Sequence, residues 1–141
     1  MIEPKKIQIF KSLIASLKEI KKRNHYFTNA GMNVYFNRRW IDCRADITHP
    51  FLALFALEEN LIEKKGNVCK CDISAHVEAY LCLKDEYDIY ELLADIKRVL
   101  LKSYTGFTIS YHGYEINLPE EGAKMTSLQV KFKMIYLESI S

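Results

Sequence analysis

The feature that most constrains this chain is an unbroken alternation from Cys69 to Leu81. Cys69, Cys71, Ile73, Ala75, Val77, Ala79 and Leu81 fall on one parity, and Lys70, Asp72, Ser74, His76, Glu78 and Tyr80 on the other. A period of two sustained this far belongs to a strand with one buried face. The spacing predicts a strand from Cys69 to Leu83, about twice the usual ~5–6 residues. A second long strand is expected from Thr126 to Glu138, with Leu128, Val130, Phe132, Met134 and Tyr136 inward. On its outer parity, Ile135 and Leu137 follow Gln129, Lys131 and Lys133, so its C-terminal half is apolar on both faces. That half needs a cover the chain itself does not obviously supply.

Two segments carry the helical period. From Pro4 to Arg23, Ile7, Phe10, Leu13, Ile14, Leu17 and Ile20 recur at three- and four-residue steps, and Lys18, Lys21, Lys22 and Arg23 crowd the C-terminal end, where the helix dipole favours cations. From Glu86 to Ser103, Ile89, Leu92, Leu93, Ile96, Val99 and Leu100 form a stripe, with acids before it and bases after it. Shorter strands are expected from Asn33 to Trp40 and from Phe51 to Leu57, the latter apolar on both parities. Glu58 to Asn67 reads as a polar loop. Phe107 to Leu118 reads as a bent strand or tight hairpin around His112-Gly113. The fold class is therefore α+β: a mainly antiparallel sheet of about five strands with two amphipathic helices on one face.

At 141 residues, 49% hydrophobic and 27% charged, the chain has the composition of a single domain with a real core, 1–141. A net charge of +2 is too small to make the whole surface a polyanion-binding field. Its longest apolar run, Phe51 to Leu57, is far below the ~20 residues that span a bilayer, which argues against a membrane role. Lys5, Lys6 and Lys11 interrupt any secretory apolar core, so a cytosolic chain with reduced Cys43, Cys69, Cys71 and Cys82 is expected.

The chemistry-bearing motifs are thin. No two of the five glycines lie within six residues of each other, which excludes P-loop and dinucleotide fingerprints. HExxH, GxSxG and CxxC are all absent. His76-Val77-Glu78 matches the H-x-E half of a zinc deaminase signature, but no cysteine follows Cys82 to complete it. The pair sits on the outer parity of the long strand, where a polar surface or an interface is the plainer reading. Cys69 and Cys71 supply only two same-face ligands, and small buried thiols explain them better. His25, His49 and His112 fall in turns. Arg38-Arg39-Trp40 beside Tyr35 and Phe36 is the one place where basic and aromatic residues interleave, as in single-stranded nucleic-acid binders. The alternative is a strand end with exposed arginines. No catalytic, metal or cofactor set emerges.

The element order is similar to that of another class. The helix Ile7 to Arg23, the turn Tyr26-Phe27-Thr28-Asn29-Ala30-Gly31 into Val34, His49-Pro50 before Phe51, the long strand from Cys69, and the helix around Glu91-Leu92-Leu93-Ala94-Asp95-Ile96 resemble the tail terminator and tail completion (minor tail) proteins of long-tailed bacteriophages and prophages. The resemblance implies a non-enzymatic α+β subunit that forms a ring, expected to be a hexamer, on the end of the tail tube. Such a ring halts tube polymerisation and offers the head-tail joining surface. The implied partners are further copies of the chain, the major tail tube protein and head-tail connector proteins, with DNA only passing through the ring. The implied location is the host cytoplasm during assembly and then the virion tail. Charge and exposure nominate Arg38, Arg39, Glu58, Glu59, Lys64, Lys65, His76, Glu78, Lys131, Lys133, Ile135 and Leu137 as subunit or tube contacts. A single-stranded nucleic-acid-binding module and a small enzyme with an unrecognised site remain the alternatives.

Overall fold

A computed structural model describes residues 3–38, 50–118 and 125–139. Within them, α1 (Lys5–Lys18), β1 (Val34–Phe36), β2 (Phe51–Lys65), β3 (Val68–Cys82), α2 (Asp88–Leu100), β4 (Phe107–Asn117) and β5 (Met125–Ser139) follow in chain order. The strands form one sheet in the order β1-β2-β3-β5-β4. β1 runs parallel to β2 and every other pairing is antiparallel. This is the α+β architecture expected, with β3 and β5 paired residue by residue from Val68↔Ser139 to Cys82↔Met125.

The alternation dictates the layering. All seven residues of the apolar parity of β3 are buried, as are Leu128, Val130, Phe132, Met134 and Tyr136 of β5. Ile9, Leu13 and Leu17 of α1, and Ile89, Leu92, Leu93, Ile96, Val99 and Leu100 of α2, close over this face. Burying such side chains stabilises by roughly 1.5–3 kcal/mol each, which is what selects the register, since a slip of one residue would turn the apolar set to solvent.

Three expectations change. α1 ends at Lys18 rather than Arg23, and Lys22–Asn24 form a separate 3₁₀ turn. The cause is Gly31, whose N–H donates to the Ile20 carbonyl at 2.7 Å and brings the returning backbone onto the last turn. β1 is three residues long; Arg39, Trp40, Cys43 and His49 lie outside the described residues. Of the two readings of Phe107 to Leu118 the bent strand holds: β4 is continuous, with a register shift between Tyr111 and Gly113, where Gly113 takes φ +106°. The largest change concerns Glu58 to Asn67, which forms no polar loop. Residues 58 to 65 continue β2 against β3, and only Gly66-Asn67 turns. Gly66 has φ +59° in the first central position, as a II′ hairpin turn requires.

Candidate functional site

The extension of β2 makes an arm along the edge of the sheet, beside a β3 that stays paired with β5 out to Val68↔Ser139. β1 pairs only with Leu52, Ala53 and Leu54, so among the described residues the distal half of β2 has a strand neighbour on its β3 side alone. Every residue from Leu57 to Val68 is exposed. Four of them are large and apolar: Leu57 (62%), Leu61 (61%), Ile62 (48%) and Val68 (43%), with Leu137 (61%) beside them at the end of β5. Register shifts fall between Ala56 and Glu58 and between Leu61 and Glu63, which places Leu57 and Ile62 at the two irregularities. Such bulges re-aim side chains and spoil an edge for further strand pairing, as do Lys64 and Lys65 near the tip.

At the root of the arm, Glu59 is fixed. Tyr136 Oη donates to Glu59 Oε1 at 2.6 Å, and the Lys6 ammonium pairs with the other carboxylate oxygen. The lysine and the tyrosine hydroxyl hold the Glu59 carboxyl below its ordinary range, while burial pushes the Tyr136 hydroxyl up. Ligand atoms of Glu59, Cys71 and Glu138 all lie within 4.8 Å of one another. The contacts there are those of a seal between α1 and the arm: an ammonium already neutralises Glu59, and burial keeps the Cys71 thiol protonated.

On the sheet face away from the helices, Lys131 pairs with Glu115 at 3.1 Å and Lys133 approaches Asp72 at 3.7 Å, with Asn60 donating to Asp72 at 3.2 Å. His76 lies opposite Lys131, with its ring 5.2 Å from Phe55 and Nε2 3.7 Å from Glu78. Despite its polar parity His76 is buried. Burial lowers its pKa, Glu78 opposes that shift and Lys131 reinforces it.

The sequence-nominated residues therefore separate. Glu58, Glu59, Lys64 and Lys65 share the arm, and Ile135 and Leu137 pair with Asp72 and Lys70 of β3, level with Asn60 and Glu63 of the arm. His76, Glu78, Lys131 and Lys133 form a cross-strand polar belt farther along. Arg38 is exposed just beyond β1, next to Asn37, whose Oδ1 accepts from the Ala56 N–H where the arm begins, and Arg39 lies outside the described residues. Sequence reasoning missed Leu57, Leu61, Ile62 and Val68. The signal that could have found them is Gly66-Asn67, a two-residue turn pair followed at once by the strand from Val68.

A second feature lies on α1. Ile7, Phe10, Ile14 and Phe36, with Lys11 and Lys18 at the rim, line an open, mainly apolar groove of about 480 Å³. Phe10 and Phe36 rings sit 5.0 Å apart at its floor. At 3.6 residues per turn this stripe lies roughly 90° around α1 from the Ile9-Leu13-Leu17 stripe that enters the core. A further depression of about 490 Å³ between Lys22, Asn29, Pro50 and Glu91 is rimmed by both charge signs. The Asp88 carboxylate on its border is already engaged by the backbone N–H groups of Lys84 and Asp85.

The shifted titrations of His76 and Glu59 have a measurable consequence. His76 has a lowered pKa in the folded state, so the unfolded chain binds the extra proton first. Stability is then lost as pH falls below 6.5. Glu59 also has a lowered pKa, so its contribution is present above about 4.5 and lost below. In urea unfolding followed across pH 7 to 3, His76→Gln should flatten the upper part of the acid decline and Glu59→Gln the lower part. Identical profiles for His76→Gln and the parent chain would show that His76 ionises freely in the fold.

No family model matches the sequence, and no curated protein matches it. Among solved structures, the fold matches the sheath/tube terminator of an extracellular contractile injection system, PVC, determined by cryo-electron microscopy in the extended state. The TM-score is 0.61 at 9% sequence identity. The match covers 100% of this chain and 58% of that protein, so this chain spans little more than half of its length. At that identity what is shared is the fold. No helix among the described residues is long and apolar enough to cross a membrane.

Proposed function

We propose that this chain is a structural tail-terminator subunit, one that assembles with further copies into a ring at the end of a tail tube and stops its growth. The reading rests on one conjunction: a fold that matches a sheath/tube terminator over the whole of this chain, carrying an edge-strand arm whose large apolar side chains are 43–62% exposed. Exposed apolar surface of this kind, concentrated on one sheet edge, marks an interaction site rather than a free surface. An enzyme reading has less to stand on, because the titratable clusters among the described residues are engaged in ion pairs and hydrogen bonds that seal the arm to α1 and knit the outer face.

In this reading the partners are other copies of the chain, the tail tube or sheath subunits below the ring, and the connector proteins of the head above it. Six copies and assembly in the host cytoplasm before incorporation into the tail are the expected arrangement. The test is to incubate the purified chain with tail tubes polymerised in vitro and image them. Capped tubes of arrested length, with a ring at one end, are expected. Tubes that elongate at the unperturbed rate, with the chain left entirely in the supernatant, would reject the role.

A further inference from the structure

The two sides of the sheet are guarded unequally. The distal β2 edge carries Lys64, Lys65 and two register shifts. On the opposite side β4 is 11 residues long, and among the described residues β5 is its only strand neighbour. β4 has no lysine and no proline, and its one carboxylate, Glu115, is paired with Lys131. Its register shift falls after Tyr111, so Phe107 to Tyr111 form a regular run against Tyr136 to Phe132 of β5. A free edge of β-branched and aromatic residues with no guarding charge is a template for another strand. Ile109 and Tyr111 pack against the core from this run and are still only half-buried.

The order of residues says which strand fits. Phe107-Thr108-Ile109-Ser110-Tyr111 has the same chemistry read from either end: aromatic, hydroxyl, aliphatic, hydroxyl, aromatic. We infer that this edge pairs with the same edge of a second copy, antiparallel and two-fold about Ile109, making one continuous sheet across the two chains. The register sets Phe107 opposite Tyr111, Thr108 opposite Ser110 and Ile109 opposite Ile109. Aromatic pairs and hydroxyl pairs of this kind stabilise an antiparallel ladder, and no like charges meet, because Glu115 lies outside the paired run. Phe107, Ile109 and Tyr111 stay on the helix side in both copies, while Thr108 and Ser110, level with Ile135 and Lys133 of β5, stay on the outer face. Ser110 Oγ lies 3.1 Å from His112 Nε2 and keeps hydrogen-bonding capacity for the threonine across the axis. α2 packs against β5, one strand in from this edge. Three strand spacings, about 14 Å, separate the two copies of β5, which leaves room for both helices on one face. The contact is isologous, so on its own it ends at a dimer, and it is separate from the contacts that close a ring.

The experiment is mild oxidation of the full chain carrying Ile109→Cys, with the parent chain as the control for its own cysteines. Ile109→Cys is expected to give a covalent dimer on a denaturing gel, because the two-fold sets this position against itself, and Thr108→Cys to give far less. Sedimentation of folded variants, checked by circular dichroism, tests the register separately. Thr108→Glu with Ser110→Glu places like charges opposite each other twice and should weaken dimerisation about tenfold or more, whereas Thr108→Lys with Ser110→Glu places opposite charges there and should retain it. A parent chain that stays monomeric, as it would if the edge takes a strand of another protein, or a Thr108→Glu, Ser110→Glu chain that dimerises at parental strength, would overturn the pairing. Tube capping by that same chain would then leave the terminator reading intact, and a cross-linking chain that caps no tubes would reject that reading while supporting the pairing.

Discussion

Asp95→Ala is expected to lower the unfolding free energy by about 3–5 kcal/mol, a large share of the roughly 7–20 kcal/mol available to a chain of this length. Asp95 lies on α2 and is 2% exposed. It accepts hydrogen bonds from the backbone N–H groups of Phe27 at 3.0 Å and Thr28 at 2.8 Å, and from the Thr28 hydroxyl at 2.7 Å. A carboxylate receiving three donors is stabilised by them, and each charge-assisted bond contributes about 1.5–3 kcal/mol before non-additivity. Removing it strands two backbone donors in a half-buried turn. Nearby, Arg98 lies 4.1 Å over the Tyr26 ring and donates to the His25 carbonyl at 2.8 Å, so the turn is tied to α2 at two points. Asp95→Asn keeps one acceptor and should lose about half as much. The measurement is the urea midpoint at constant m-value; a loss below about 1 kcal/mol would mean that apolar contacts alone hold the turn.

Gly31→Ala is expected to cost about 3 kcal/mol, for a different reason. A Cβ at Gly31 would lie 2.5 Å from the Lys18 carbonyl oxygen, 2.7 Å from its carbon and 2.8 Å from the Ile20 oxygen. All three atoms are backbone, so no side chain can swing aside. Accommodation requires α1 and the turn to separate, breaking the 2.7 Å bond from Gly31 N–H to Ile20. Gly66→Ala is the control: its φ is +59° but nothing lies within 4 Å, so only the left-handed backbone term of about 1–2 kcal/mol applies. Thermal unfolding should rank Gly31→Ala well below Gly66→Ala; equal losses would remove close approach as the explanation.

Gly31 and Asp95 also show where the sequence stops speaking. Asn29-Ala30-Gly31 was legible as a turn from its composition, and the wider Tyr26 to Gly31 turn only through the resemblance. Its dependence on a carboxylate 67 residues away was not, because a buried aspartate on a helix looks in sequence like any polar position on the exposed face. α1 shows a related limit. Ile7, Phe10, Leu13, Ile14 and Leu17 read as one stripe, yet Leu13 and Leu17 enter the core beside Ile9 while Ile7, Phe10 and Ile14 line a flank. Hydrophobic spacing reports that an arc is apolar, and a wide arc can serve two surfaces.

His76 and Glu78 make the same point for the outer face. Their parity was read correctly as pointing away from the helices, but parity does not measure accessibility. Cross-strand neighbours, Phe55 on one side and Lys131 on the other, bury the imidazole. Among the nominated contact residues, the arm set and the cross-strand belt could be grouped only once β2, β3 and β5 were placed side by side.

What the sequence determined by itself is everything governed by local period: the long strands β3 and β5 and their buried parities, both amphipathic helices, and the α+β class that follows from covering one sheet face. What only the tertiary structure decided is the fate of Glu58 to Lys65. Those residues have no alternation and a polar composition, and they are extended because β3 continues opposite them and supplies the backbone hydrogen bonds. Strand pairing is a non-local property, so an arm whose faces are not buried leaves no periodic trace in its own residues.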